Sequence, residues 1–321
     1  MNVKLAKDNS LEKVEMRKVF CDTMIEVAKK NEKVVLLDAD LMAAMGTKPF
    51  QAEFPDRTID CGIQEANMIG VAAGLSATGF IPFAHTFGPF ATRRACDQIF
   101  MSCAYAKQNV KIIGSDPGVT AALNGGTHMP FEDLGIMRGI PGMTVIEPAD
   151  STVIADMVRQ VADIYGMHYI RLVRKNAPKV YEEGSTFDIG KAVQIRDGKD
   201  VTIIACGICV AEAIKAAGIL EQEGISARVL DMFTIKPIDK EAVIAAAKDT
   251  GAIVTAENHS INNGLGSAVA EVLCENIPTP IARIGSQDEF GEVGPVDYLK
   301  ERFGLTAENI VAAAKKVIAK K

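Results

Sequence analysis

The sequence predicts an α/β protein built of two tandem open-sheet α/β domains. Short apolar runs alternate with longer segments of helical periodicity along the whole chain, a pattern typical of parallel sheets covered by helices. The alternation stops in one polar segment and then restarts. The chain has 321 residues, which exceeds the roughly 250–300 residues at which a single hydrophobic core stops growing. Two domains are therefore expected.

The elements of the first domain follow from their patterns in chain order. Amphipathic periodicity predicts helices at 12–30, 92–106, 130–139 and 151–165, and a turn followed by a helix at 60–79. Short apolar runs predict strands at 34–37, 81–85, 110–114, 144–147 and 168–171. Residues 116–127 contain three glycines among small residues, so a loop is expected there.

The polar segment APKVYEEGSTFDIGKAVQIRDGKD, residues 177–200, marks the domain boundary because it contains turn signals and lacks helical periodicity. We place the first domain at 1–185, a linker at 186–199 and the second domain at 200–321. The second domain is predicted to have strands at 201–205, 227–231, 252–256 and 281–284, with helices at 209–222, 240–247 and 265–274. A last helix begins after Thr306 as its N-cap and ends in lysines.

Composition excludes several classes of function. The chain has a net charge of -6 and no cluster of Lys or Arg, which argues against a nucleic-acid surface. It has neither an apolar run of roughly 20 residues for a membrane span nor the apolar core of a secretory signal at its start. We therefore expect a cytoplasmic protein.

The cysteines and histidines do not predict a metal site. Seven cysteines without a regular framework indicate reduced thiols, and the pair Cys206 and Cys209 is interpreted as structural, although a CxxC motif is also found in redox sites. The four histidines lack the spacing of metal ligands.

Candidate site residues follow the predicted strands, because ligands of open α/β sheets bind at the carboxyl ends of the strands. Glu65 is the most informative, since it begins a helix of Ala, Gly, Met, Ile, Val and Leu in which an ionised carboxylate is costly to bury. An ordinary first-turn acid remains an alternative. The other candidates are Asp38, Asp40, Phe87, Phe90, His128 and Arg174. Each also has an ordinary explanation: the aspartates as turn caps, the phenylalanines as core residues, the histidine as a neighbour of a helix N-cap and the arginine as a surface charge.

Several motifs in order along the chain resemble thiamine-diphosphate enzymes of the transketolase group. GIQEANMIGVAAGLSATGFIPFAHTF resembles their pyrimidine-binding segment, and the similarity continues through NGGTHMPFEDLGIMRGIPGMTVIEPAD and YIRLVRKNAP. It extends into the family's C-terminal domain with LDMFTIKPID, VTAENHSINNGLGSAVAEVL and IGSQDEFGEVG. The resemblance covers the chain from about residue 10 to its end, and implies a pyrimidine-binding domain followed by a transketolase C-terminal domain.

The resemblance implies a cofactor, thiamine diphosphate, and a catalytic acid. Glu65 would hydrogen-bond the aminopyrimidine ring nitrogen and promote the imino form of the exocyclic amine, which requires a carboxyl group able to hold a proton near neutral pH. Phe87 and Phe90 match the aromatics around the pyrimidine. Asp40 matches an acid at the cofactor edge near the dimer interface, and Arg93 is a weaker candidate for the same pocket edge.

The resemblance also implies a sugar-phosphate site and reversible two-carbon ketol transfer of the pentose phosphate type. Arg17, Arg174 and His128 fall where transketolases hold their substrates, and arginine suits a phosphate dianion. Ser115 falls near a histidine position of the family and Asn124 at an aspartate position. Ala44 replaces a phosphate-binding serine. These three departures leave open an unusual ketose, such as a branched or sulfonated sugar derivative.

The family's domain for the diphosphate is not recognisable in the sequence. That domain holds a divalent cation, Mg²⁺ or Ca²⁺, with a Gly-Asp-Gly motif followed by Asn-Asn; here the only Asn-Asn is Asn262-Asn263, and Arg196-Asp197-Gly198 is not the motif. We therefore expect the C-terminal subunit of a split transketolase, inactive without a separate N-terminal subunit, with two copies of each chain. Alternatives are the beta subunit of a 2-oxo-acid dehydrogenase, a deoxyxylulose-phosphate-synthase-like enzyme, and a noncatalytic partner subunit.

Overall fold

A computed structural model describes all 321 residues of the chain, which form two twisted sheets covered by helices. The predicted α/β fold class is confirmed. No helix combines the length and the apolar character that crossing a membrane requires.

The first sheet and its helices are built mainly from the N-terminal half of the chain. Its strands are β1 Val34–Asp38, β2 Thr58–Asp60, β3 Ile81–Phe87, β4 Lys111–Ser115, β5 Met143–Ile146 and β6 Met167–Leu172. Its helices are α1 Met16–Lys30, α2 Met42–Met45, α3 Lys48–Glu53, α4 Glu65–Ala77, α5 Gly88–Ala91, α6 Cys96–Gln98, α7 Asp133–Gly139 and α8 Ser151–Asp163. A π-helix spans Ile99–Tyr105, and short 3-10 turns span Pro55–Arg57, Arg93–Ala95, Gly118–Asn124 and Gly126–His128.

The second sheet comes from the C-terminal half. The strands of this half are β7 Val193–Arg196, β8 Val201–Ala205, β9 Ala227–Asp231, β10 Thr234–Lys236, β11 Ile253–Ser260 and β12 Ile281–Ser286. The helices are α9 Cys209–Gln222, α10 Lys240–Thr250, α11 Leu265–Asn276, α12 Val296–Arg302 and α13 Ala307–Ile318. The Thr306 hydroxyl caps α13 by accepting from the backbone N–H of Asn309, as predicted.

The strand order of the first sheet places a ligand site at β1 and β3. The order is β10-β5-β6-β4-β3-β1-β2, with all neighbours parallel except the antiparallel pair β10 and β5. From β1 the chain moves to one side to form β2 and then to the other side to form β3. Such a reversal opens a crevice at the carboxyl ends of the strands, and the residues after β1, β2 and β3 meet there.

The two halves are joined by a strand that crosses between them. β10 lies in the C-terminal half but pairs with β5 of the first sheet, while the second sheet has the order β12-β11-β8-β9-β7. β7 pairs antiparallel with β9 and lies within residues 186–199. The domain limits at 1–185, 186–199 and 200–321 stay a prediction, because the sheets do not assign the segment before β7 to either half.

One predicted helix is wrong. Residues 92–106 do not form a continuous helix, because Ala95, with φ -115° and ψ 18°, interrupts it. The segment is divided into a 3-10 turn, the short helix α6 and a π-helix.

A buried ionic network joins the two halves behind the site. The Arg171 guanidinium, on β6, donates to both carboxylate oxygens of Asp133 at 2.8 and 2.5 Å and to Glu147 at 2.8 Å. It also donates to the backbone carbonyl of Asn258, on β11, at 3.0 Å. All three charged side chains are at most 2% exposed, so each buried carboxylate has the cation that its burial requires.

Candidate active site

The carboxylate of Glu65 lies at the first residue of α4 and is 3% exposed. Apart from Asn67 and Ser76 the rest of the helix is apolar, and the N-terminal end of a helix favours a negative charge. One carboxylate oxygen, Oε1, accepts from Arg94 Nη1 at 2.7 Å. The other oxygen makes no hydrogen bond within the chain, so Glu65 has one oxygen free to bind a donor.

Two phenylalanines and a histidine form an aromatic cluster beside this acid. Phe87 ends β3 and Phe90 lies in the next turn, with ring centroids 6.1 Å apart. The ring of His128 meets both edge-on, at 5.7 Å from Phe87 and 5.1 Å from Phe90. Phe87 and His128 are thereby brought together from segments that lie about forty residues apart in sequence.

Arg94 connects the acid and the aromatics. Its guanidinium carbon lies 3.7 Å from the centroid of the Phe90 ring, while Nη1 binds Glu65. The side chain is 43% exposed, so the cation lies between buried and solvent-facing surfaces. The neighbouring Arg93, which the sequence favoured, instead binds Glu132 at 2.7 Å and the carbonyl of Thr127 at 3.1 Å.

Positive charge surrounds His128. Burial lowers the pKa of its imidazole, and the charges of Arg94, Arg174 and Arg93 lower it further in that order. The ring is therefore neutral near pH 7, with Nδ1 2.9 Å from the hydroxyl of Thr127. An electropositive surface with a neutral imidazole suits an anionic ligand that also needs hydrogen bonds.

Arg174 is held in place by a buried carboxylate. Its Nε lies 2.5 Å from Asp116 Oδ2, and its guanidinium carbon lies 4.9 Å from the centroid of Phe87. Burial raises the pKa of Asp116, while the adjacent Arg174 lowers it. Asp116 adopts φ 55°, a left-handed conformation that is uncommon outside glycine.

Arg17 is held by Glu15, the residue before α1, and by Ala44 of α2, which follows β1. Nε binds Glu15 at 2.6 Å, and Nη1 donates to the backbone carbonyl of Ala44. Ser115 lies at the end of β4, fully buried, with its hydroxyl 3.0 Å from the sulfur of Met45. The structure thus directs the Ser115 hydroxyl into the protein, and its predicted substrate contact stays a prediction.

Two further predicted residues lie on exposed backbone around the crevice. Asp40 follows β1 with φ 61°, and its N–H donates to Asp60 at 3.0 Å. Asn124 ends the 3-10 turn Gly118–Asn124 and is exposed. The roles assigned to these two residues, as to all predicted site residues, stay predictions.

Arg94 and Asp116 are site residues that the sequence did not identify. The signal for Arg94 was its place next to Arg93, but in the structure it is Arg94 that donates to Glu65. The signal for Asp116 was its place directly after β4, where ligand-facing groups are expected. Its left-handed backbone could not be inferred, because aspartate adopts that conformation only in particular contexts.

The arrangement fits the aminopyrimidine end of thiamine diphosphate. A buried carboxylate with a free oxygen suits a ring nitrogen, and the faces of Phe87 and Phe90 suit a flat heterocycle. For the diphosphate end, the chain presents no group of three or more His, Cys, Asp or Glu placed to hold a metal ion.

The two cysteines of the CxxC motif, Cys206 and Cys209, and His259 are buried outside this crevice. All seven thiols are unpaired. Cys206 donates to Glu147 at 3.1 Å, and burial raises the pKa of both Cys206 and Cys209 well above the usual range. Burial lowers the pKa of His259 to about 4. These groups are therefore neutral and structural, which agrees with the interpretation of the CxxC pair.

Comparisons with known proteins point to one family. Residues 12–179 match the transketolase pyrimidine-binding domain, and residues 190–310 match the transketolase C-terminal domain. The chain is 55% identical over 311 residues to a Clostridium 6-deoxy-6-sulfo-D-fructose transketolase subunit, SqwH, covering 97% of each chain. It is 46% identical over 298 residues to a putative transketolase C-terminal section of Methanocaldococcus jannaschii, covering 92% of this chain and 93% of the relative.

A solved structure agrees with these relatives. The chain superimposes with a TM-score of 0.88 on a protein described as a split gene transketolase, inactive beta4 tetramer. The two are 45% identical, and the match covers 95% of this chain and 98% of the other.

Proposed function

Since this chain belongs to the transketolase family and corresponds to the C-terminal subunit of its split members, we propose that it supplies half of a thiamine-diphosphate-dependent transketolase. The reaction is reversible transfer of a two-carbon ketol unit from a ketose to an aldose. The observation that carries the proposal is the buried Glu65 carboxylate with one free oxygen beside Phe87 and Phe90.

Glu65 binds and orients the cofactor in this proposal. Thiamine diphosphate supplies the carbon nucleophile when bound. The free oxygen of Glu65 would hydrogen-bond the pyrimidine ring nitrogen, while Arg94 holds the other oxygen in place. Phe87 and Phe90 would supply the aromatic surface against which the pyrimidine ring packs.

The arginines bind the anionic end of the sugar. Arg174 is fixed by Asp116, and Arg17 by Glu15, so both guanidinium groups are oriented before the substrate arrives. Phosphate and sulfonate both present several oxygens to such groups. A relative of 55% identity is named for a sulfonated fructose. Ala44 removes a hydroxyl that a phosphate-binding serine would supply, so we include the sulfosugar beside ketose phosphates as a candidate donor.

A separate N-terminal subunit completes the site. It would bind the diphosphate through Mg²⁺ or Ca²⁺, in an assembly with two copies of each subunit. A solved relative of this chain is described as an inactive tetramer of beta chains, which agrees with a requirement for another subunit. A cytoplasmic location stays a prediction.

The role of Glu65 is tested with Glu65→Gln in the assembled enzyme. Glutamine keeps the shape but cannot provide the proton-sharing carboxyl group, so we expect ketol transfer to fall by at least ~100-fold. Isothermal titration should show that thiamine diphosphate still binds, because the aromatic contacts remain.

A matched control is Glu275→Gln, which changes an exposed glutamate of α11 that forms no ion pair. Its activity should equal that of the wild type. Unchanged transfer in Glu65→Gln would refute the assigned role. Release of carbon dioxide from a 2-oxo acid by the wild-type complex, without transfer, would favour the dehydrogenase alternative.

A further inference from the structure

The glycine loop, residues 116–128, carries Asn124 and His128 and has an unusual backbone. Besides Asp116, the non-glycine residue Ala122 has a positive φ of 49° with ψ -118°. Gly118 and Gly125 also have positive φ, at 47° and 78°. Such conformations persist only where surrounding structure holds them, so the contacts that hold this loop matter for the two substrate-facing side chains.

The first half of the loop is held by Asn258 of the C-terminal half. Asn258 is fully buried at the end of β11. Its Oδ1 accepts from the N–H of Val119 at 2.9 Å, and its Nδ2 donates to the carbonyl of Pro117 at 2.8 Å. The side-chain amide therefore binds the backbone on both sides of Gly118. A Cβ at Gly118 would lie 2.1 Å from Asn258 Oδ1, so the contact excludes any side chain there.

The second half of the loop also packs on the C-terminal half. A Cβ at Gly126 would lie 2.2 Å from the carbonyl oxygen of Gly291, and one at Gly125 would lie 2.7 Å from the side chain of Val293. Both partners belong to the segment between β12 and α12. Both ends of the loop therefore pack against the C-terminal half of the chain. That half contributes no residue to the site described above.

The backbone of Asn258 is itself held by the buried ionic network of Arg171. Its backbone carbonyl accepts from Arg171 Nη1 at 3.0 Å, and Arg171 is anchored to Asp133 and Glu147. The amide oxygen and the amide nitrogen of Asn258 both form hydrogen bonds to the loop. The side chain therefore sets the position of the backbone that it binds.

We propose that Asn258 is a positioning residue for ketol transfer, whose amide fixes residues 117–119 and thereby sets where the glycine loop presents Asn124 and His128 to the sugar. The proposal rests on the proposed function, since it gives a task to a loop whose ligand is that sugar. It assigns the C-terminal half an indirect part in substrate recognition, through the position of the glycine loop.

The test uses Asn258→Ala and Asn258→Ser in the two-subunit enzyme with thiamine diphosphate and Mg²⁺. Donors are D-fructose 6-phosphate and 6-deoxy-6-sulfo-D-fructose. We expect KM for the accepted donor to rise about tenfold to a hundredfold in Asn258→Ala with a smaller fall in kcat, because a loop displaced by about 1 Å misplaces both side chains. The serine variant keeps one hydrogen-bonding group and should fall between wild type and Asn258→Ala.

Two measurements separate positioning from general damage. The dissociation constant for thiamine diphosphate should be unchanged, since Asn258 contacts none of Glu65, Phe87 and Phe90. Backbone amides of residues 117–128 should exchange hydrogen faster in the variants, while those of α4 should not. Asn262→Ala, an exposed asparagine in the same motif, is the control and should match the wild type in every measurement.

The outcomes distinguish this proposal from the proposed function. Wild-type ketol transfer with an unchanged KM in Asn258→Ser and Asn258→Ala overturns only the positioning role. Parallel losses of cofactor affinity and donor affinity also overturn it, because they indicate a structural role alone. Absence of transfer in the wild-type complex, with thiamine diphosphate bound, overturns both.

Discussion

Replacing Arg171 by methionine should lower the free energy of unfolding by about 3–5 kcal/mol at pH 7.5, the usual effect of removing one partner from a buried ion pair. Arg171 is 1% exposed and makes three charge-assisted hydrogen bonds, two to Asp133 and one to Glu147. Methionine fills most of the volume but leaves two carboxylates in the interior without a cation. The loss is therefore electrostatic and not a cavity effect.

The pH dependence identifies the cause. Burial alone would raise the pKa of Asp133, but the charge and hydrogen bonds of Arg171 bring it below the usual range. Stability from this carboxylate is present above the unfolded pKa of about 4 and is lost as pH falls through the folded pKa. Without Arg171 the buried carboxylates must take up protons to fold. The difference in the free energy of unfolding between wild type and Arg171→Met should therefore become smaller as the pH falls from 7.5 to 5.

Urea unfolding of the chain at the two pH values measures these differences. Arg159→Met is a matched control, because Arg159 pairs with Glu26 at the surface and should contribute less than about 1 kcal/mol. The triple variant Arg171→Met, Asp133→Asn, Glu147→Gln removes all three charges and should recover most of the loss. If the triple variant is as unstable as Arg171→Met, or if Arg171→Met loses the same free energy of unfolding at both pH values, the loss is not caused by the unpaired carboxylates.

Two further changes test other parts of the chain by the same unfolding measurement. Asp150→Ala should cost about 2–4 kcal/mol, since its carboxylate caps α8 at Thr152 and Val153 and also accepts from the N–H groups of Val180 and Tyr181; a loss below 1 kcal/mol would contradict this. Burial raises the pKa of Asp231 to about 8, so the folded chain binds an extra proton between pH 4 and 8 and loses stability as the pH rises. The stability of Asp231→Asn relative to wild type should therefore rise by about 3 kcal/mol between pH 5 and 7, and a difference independent of pH would show that Asp231 is ionised when folded.

Local sequence patterns predicted the elements that local physics determines. The strand 201–205 and the helix 209–222 have the predicted bounds, because an uninterrupted apolar run and an apolar helical face specify them. The N-cap of α13 at Thr306 was also predictable from its side chain.

Elements that depend on distant contacts were not predictable. β10 is only three residues long and pairs with β5, about ninety residues earlier in the chain, so neither its periodicity nor its partner can be recognised in the sequence. β7 is similarly short, and its polar residues concealed it within the expected linker. Both strands are stabilised by tertiary pairing and not by intrinsic preference.

The candidate site shows the same division. The residue pattern indicated Glu65, Phe87 and Phe90 only as candidates with ordinary alternatives, and the resemblance to transketolases supplied their expected roles, which stay predictions. Arg94 could not be identified, because two adjacent arginines give no local signal for which one reaches Glu65, 29 residues earlier in the chain. The contact of Asn258 with Val119 joins positions 139 residues apart, which no local pattern reveals.

We propose that this chain catalyses ketol transfer only together with a separate N-terminal subunit. The most direct test is a ketol-transfer assay with thiamine diphosphate and Mg²⁺, comparing the purified chain with the chain co-purified with a partner that carries the Gly-Asp-Gly and Asn-Asn motifs. We predict two-carbon transfer from a ketose phosphate or a sulfonated ketose by the complex and none by the chain alone. Turnover by the isolated chain, or a complex that binds the cofactor and transfers nothing, would contradict the claim.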